Sequence, residues 1–175
     1  FFLACLQKGD EGYRAKKIKL PKKKANNLEL VPKKNLKKLE GWVQDHEKYS
    51  FILEDEKVYA FPKEQLHSLR MLDKVLKVRM KGIEMGKLRN NKFIPIHHLA
   101  ISNILTKDIP QLKLDYTQAI AYLRKLALTH NPDNLQGWVT ATYKGVTLGW
   151  LKMLPNRINN YYPAELRIQK DFEID

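Results

Sequence analysis

The stretch that most constrains this chain is GWVTATYKGVTLGWLKML, residues 137–154. It is rich in β-branched and aromatic residues on both sides of Lys144-Gly145. Trp138, Thr140 and Thr142 would share one face of a strand, and Val139, Ala141 and Tyr143 the other. Lys144-Gly145 supplies a tight turn, because glycine tolerates the positive φ that such turns need. Gly149 removes a side chain from the return strand where backbone or a ring must come close. A lone hairpin is marginal in water, so it needs a covering helix and more strands. The helix is legible upstream. Asp115 is a good N-cap, and Gln118 stands three residues on, as in a capping box. Ala119, Ile120, Leu123, Leu126 and Ala127 mark one face of a helix predicted to end near Thr129. Leu166 to Ile168 could add a short strand. The reading is a small β-barrel-like module over residues 107–175.

A different module precedes it, over residues 36–106. LKKLEGWVQ reads as a short helix, with Leu36 and Leu39 inward. YSFILEDEKVYAFP gives two strands around the turn Glu54-Asp55-Glu56-Lys57. Lys63 to Met71 is expected to be helical, with Leu66, Leu69 and Met71 partly inward. A strand-rich stretch follows, with Gly82 and Gly86 at a bend or bulge and Asn90-Asn91 at a turn. Pro95 can open a helix over Ile96 to Leu105. The fold class is therefore α+β: a mixed helix and strand module, then a small barrel.

Charge is concentrated further upstream. The formal net charge is +13. Residues 14–38 hold eleven basic side chains and one acid, Glu29. Pro21 and Pro32 argue against one helix there. Residues 14–35 read as a basic linker. Such a density of like charge favours contact with a polyanion. Phe1 to Leu6 reads as a strand whose neighbours lie elsewhere, within a remnant spanning residues 1–13. No apolar run approaches the roughly 18 residues needed to span a bilayer, and no signal peptide is evident. The single cysteine, Cys5, excludes an intrachain disulfide. A cytoplasmic chain without a membrane segment is expected.

Catalytic constellations are not legible. Cys5 sits in an apolar stretch without a histidine nearby, as a small buried hydrophobe would. His97 and His98 lack metal-ligand spacing, and no Cys-x-x-Cys occurs. Gly82 to Gly86 is not a phosphate-cradling loop. No catalytic, cofactor-binding or metal-ligating residue is assigned.

LDYTQAIAYLRK (114–125), GWVTATYKGVTLGWLKML (137–154) and NRINNYYPAELRI (156–168), in that order, resemble the C-terminal end of bacterial F-type ribosomal RNA 5-methylcytosine methyltransferases. These belong to the SAM-dependent RNA cytosine-C5 methyltransferases. Phe1, Phe2, Ala4 and Lys8 are similar to the end of that family's methyltransferase domain. The resemblance implies an upstream Rossmann-like catalytic domain, a connecting module and a PUA-like RNA-binding domain. SAM is implied for the intact enzyme. The family's SAM loop and two cysteines map onto nothing in this sequence. Ribosomal RNA or a ribosomal subunit, with the upstream methyltransferase domain, would be the partners.

The candidate RNA contacts are Lys22, Lys23, Lys24, Lys152, Arg157, Tyr161, Tyr162 and Arg167. Lysine and arginine suit phosphate, and tyrosine suits an unpaired base. For Arg157 two readings stand side by side, an RNA contact or a brace for its loop. Asn156, Asn159, Asn160 and Pro163 are expected to structure that loop, since asparagine amides bond nearby backbone in turns. The rival overall reading is a non-catalytic protein-interaction or structural tail whose charge serves solubility. An RNA binder should gather its cations on one surface. A bland tail should scatter them among acids.

Overall fold

A computed structural model describes residues 28–76, 78–128 and 134–170. The expectations for Phe1 to Leu6, Cys5, and Lys22, Lys23 and Lys24 lie outside the described residues.

The first module is a five-stranded antiparallel sheet in sequence order. Its strands are β1 (Glu29–Leu30), β2 (Tyr49–Glu54), β3 (Lys57–Pro62), β4 (Ile83–Arg89) and β5 (Lys92–Pro95). The helices are α1 (Lys33–Leu36), α2 (Leu66–Val75) and α3 (His97–Ala100). The module thus starts earlier than a linker ending at residue 35 allows. Glu29 pairs with Leu53, and Val31 is buried in the core, so apolar side chains pull the end of the basic segment into the sheet. Two hairpins turn on adjacent residues with positive φ: Asp55-Glu56 and Asn90-Asn91. That geometry matches the twist of the flanking strands. Gly82 and Gly86 are fixed by crowding, because a Cβ on either would strike a carbonyl, of Ala60 and Ile94 respectively.

Alternation sorts the strands onto two faces. Phe51, Val58, Ala60, Met85 and Phe93 enter the main core with Leu39, Val43 and Leu99. Ile52 and Tyr59 face the other way, against Leu69 of α2. Met71 is exposed, not inward as expected, since Leu69 and Leu66 already fill the space beneath α2. The helix predicted over 96–105 is only the four residues of α3. Beyond it the backbone is committed elsewhere. Gln44 N–H donates to the Ile104 carbonyl and Thr106 N–H to the Trp42 carbonyl.

The second module has four strands in the order β6 (Gln111–Lys113), β7 (Gly137–Tyr143), β8 (Val146–Leu154), β9 (Arg157–Asn160). β6 runs parallel to β7, and the other pairs are antiparallel. The expected barrel is not closed among the described residues; β6 and β9 are sheet edges. Leu166 to Ile168 adds no strand. A 3-10 turn over Ala164–Leu166 leads instead to a bond from Ile168 N–H to the Leu123 carbonyl. α4 (Tyr116–Leu123) has the full capping box: Asp115 accepts from Gln118 N–H, and Gln118 accepts from Asp115 N–H. Such a cap contributes about 0.5–2 kcal/mol. The helix stops before Thr129, because Lys125 turns left-handed, with φ 63°. Its ammonium then donates to the Tyr162 carbonyl.

The β8 register divides the second sheet. Val139, Ala141, Leu151, Met153 and Ile158 point toward α4 and pack with Leu112 and Tyr122. Trp138, Trp150, Lys152, Arg157 and Asn159 alternate with them on the opposite face. Trp150 is completely buried, and its neighbours belong to the first core. Its indole N–H donates to the Ile96 carbonyl at 2.8 Å. One side chain of the second sheet thus completes the core of the first module.

Candidate nucleic-acid interface

Where the two modules meet, the β4–β5 hairpin and the outer face of β7–β8 enclose a cleft of about 570 Å³. Its apolar surface comes from Trp42, Phe93, Ile94 and Trp138, and its cations are Lys38, Arg89, Lys92 and Lys152. Among the described residues, no acid lines it. The rings form one connected series. Trp42 meets Phe93 edge-on at 5.1 Å and Trp150 at 5.6 Å. Trp150 supports Trp138 from below at 6.1 Å, and Tyr161 meets Trp138 at 4.6 Å. These edge-to-face arrangements suit the ring quadrupoles and fix each ring's tilt.

The cations are placed by different devices. Lys38 donates to the side chains of Asn35 and Asn91, both at 2.7 Å, tying α1 to the β4–β5 turn. Lys152 lies cross-strand from Trp138, with its ammonium 5.2 Å from the ring. That is a cation–π contact, and it keeps the charge at the cleft without neutralising it. Arg89 and Lys92 are exposed, and among the described residues neither forms an ion pair.

Of the residues singled out in the sequence, Lys152 lines the cleft. Tyr161 stands beside it, 38% exposed. Arg157 is exposed on the same sheet face, beyond Lys152 along the strands, and makes no side-chain hydrogen bond among the described residues. Tyr162 is the less open of the two tyrosines. Its ring is half-buried between His97 at 5.3 Å and Tyr122 at 5.4 Å. Arg167 is exposed after the 3-10 turn and does not line the cleft. Lys38, Arg89, Lys92, Trp42 and Trp138 were not among the sequence candidates. They come from three distant segments, and no local pattern links them.

The amide-rich loop divides its labour. Asn160 points to the α4 side. Its amide donates to the Tyr122 carbonyl at 2.8 Å, and its oxygen accepts from Tyr162 N–H at 2.9 Å. Asn156 and Asn159 make no side-chain hydrogen bonds among the described residues, so neither bonds the loop as expected. Asn156 is exposed in the β8–β9 turn, and Asn159 shares the outer face with Lys152. Pro163 precedes the 3-10 turn with φ −60°. On the inner side, a Cβ on Gly149 would strike the Tyr122 hydroxyl and approach His97 Nδ1 to 3.0 Å. Gly149 also has φ 149°, a region favouring glycine. The Tyr122 hydroxyl donates to the Trp150 carbonyl, and burial raises its pKa.

Residues 110–168 match the family model described as the methyltransferase RsmF PUA domain. The second module is a PUA domain of that type. No curated protein matches the chain. The match covers β6 to β9 and α4, so the hairpin, the capped helix and the amide loop all belong to the PUA domain. Such a domain of an RNA methyltransferase points to RNA as its partner. No helix among the described residues is long and apolar enough to cross a membrane.

Proposed function

We propose that this chain is the RNA-binding C-terminal portion of a SAM-dependent ribosomal RNA cytosine-C5 methyltransferase, acting in the cytoplasm. It holds ribosomal RNA, or a ribosomal subunit, for a methyltransferase domain elsewhere in the intact protein. The observation that carries this reading is the aromatic-floored cleft bordered by the PUA sheet, which no acid lines among the described residues. Phosphate contacts supply affinity and bases supply recognition, and the cleft offers groups for both. Chemistry on the cytosine belongs to the other domain.

The test is affinity for a ribosomal RNA fragment across a salt series. The logarithm of the binding constant should fall linearly with the logarithm of salt concentration. Replacing Arg89 and Lys92 together by alanine should flatten that slope. Affinity that is independent of both salt and these cations would sink the reading.

One observation favours a second reading, a protein-interaction element. Leu72, Leu76 and Met80, on and just after α2, are 48%, 58% and 81% exposed. Exposed apolar side chains gathered in one stretch of sequence are a feature of contact surfaces. If alanine replacements there abolish binding to intact subunits but not to naked RNA, the contact is with protein.

A further inference from the structure

Resting on the RNA reading, we propose that the cleft between the modules takes unpaired RNA. One base seats against Trp138, and the adjoining phosphates lie on Arg89 and Lys92. The size fits, because about 570 Å³ lies within the ~300–1,000 Å³ range of sites that enclose a small ligand. Trp138 is held without being fully buried. Trp150 supports it from beneath, Tyr161 meets it from the side, and the residue stays partly exposed at the cleft. A ring fixed in this way loses little freedom when a base stacks on it.

The lining argues against a duplex. Paired bases hide their faces in the helix stack and present phosphates and sugars outward. A duplex could use the rim cations but would leave the aromatic floor uncovered. An unpaired nucleotide uses both. Lys152 lies over the Trp138 ring and can turn its ammonium toward a phosphate when a base arrives. Two modules contribute to the cleft, Arg89 and Lys92 from the first and Trp138 and Lys152 from the second. The recognition surface therefore extends beyond the PUA domain, whose family match begins at residue 110.

The experiment uses the whole chain and a fluorescently labelled, unstructured RNA of roughly 12 nucleotides, within the span such sites cover. A duplex of the same sequence is titrated in parallel, and melting curves accompany every variant. The single strand should bind more tightly than the duplex. Trp138→Ala should weaken single-strand binding about tenfold while leaving duplex binding unchanged. Trp138→Tyr, which keeps a stacking face, should restore most of that affinity. Lys92→Glu, at an exposed rim position, should weaken both RNAs alike.

Equal binding of duplex and single strand, with Trp138→Tyr no better than Trp138→Ala, would overturn the stacking proposal and leave the RNA reading standing. Failure of both RNAs to bind would overturn the RNA reading itself. Polyglutamate competing as well as the single strand would show that the cleft responds to charge alone, which also defeats the proposal.

Discussion

The ion-paired stretch of the first module, residues 45–84, and the PUA domain use their cations differently. In the first, the ion pairs between residues 45 and 84 commit charge to structure. Lys48 pairs with Asp45, Lys57 with Glu84, and the buried Lys81 with Glu54 at 2.7 Å and Asp73 at 3.8 Å. Burial works against the Lys81 charge, yet its hydrogen bond to Glu54 and the two nearby carboxylates hold its pKa above the ordinary value. In the PUA domain Lys125 donates to a carbonyl, while Lys144 and Lys152 lie over rings. These contacts hold the side chains but leave their charge uncompensated. The difference teaches that net charge alone does not locate an interface. What locates it is the cation that the fold positions without neutralising.

The contrast is broken most severely at the residue both modules share. Trp150→Ala should cost about 3–5 kcal/mol, because it empties a fully buried site and removes the indole donor to the Ile96 carbonyl. Urea denaturation would measure it. Appearance of two transitions would show that the modules melt separately once that side chain is gone.

Next is Gly149→Ala. Positive φ and the clash with Tyr122 should cost about 2 kcal/mol, measured by the same titration. Third, Asn160→Ala should cost about 1–3 kcal/mol by leaving the Tyr162 N–H without its partner and removing one of the donors to the Tyr122 carbonyl. Asn159→Ala should stay within about 0.5 kcal/mol. Equal losses at the two amides would erase the distinction between the inner and outer faces of the sheet.

A smaller effect is set by pH. Burial, then the neighbouring His98, lowers the His97 pKa below its ordinary 6.5. The unfolded chain therefore binds the proton more readily than the folded one. This contribution to stability is fully present above pH 6.5 and is lost as pH falls through the lower folded value. Thermal melting against pH should show a decline on the acid side of 6.5 that His97→Gln reduces. The smallest effect on the fold is expected at Arg157→Ala, within about 0.5 kcal/mol in a melt, while RNA affinity drops several-fold. An early melt with unchanged affinity would make Arg157 a brace.

Local chemistry was the legible part. The Asp115–Gln118 box, the Lys144-Gly145 and Asn90-Asn91 turns and the close approach at Gly149 each depend on a few adjacent residues or one missing side chain. The sequence also pointed to Lys152 as a member of the basic surface. Its setting was hidden because the cleft brings Lys38, Arg89 and Trp138 together across about 50 residues at each step. The helix ends were misjudged for a related reason. Apolar periodicity continues through Leu126 and Ala127, but the backbone turns left-handed at Lys125, whose ammonium bonds Tyr162, a residue much later in the chain. Nothing nearby announces that bond. The open sheet departs from the expected barrel in the same way, since closure depends on which edges meet.

Trp150 also imposes an order in time. Synthesis runs from the N-terminus at roughly 5–20 residues per second, and domains generally fold as they emerge. The first module's strands end at Pro95, but the side chain that fills the last place in its core is residue 150. During translation that core waits, unfinished and partly wetted, until most of the second sheet has left the ribosome. The nascent chain therefore passes through a window in which Trp42 and Phe93 lack their cover, and a chaperone able to shield aromatic surface would find its target there.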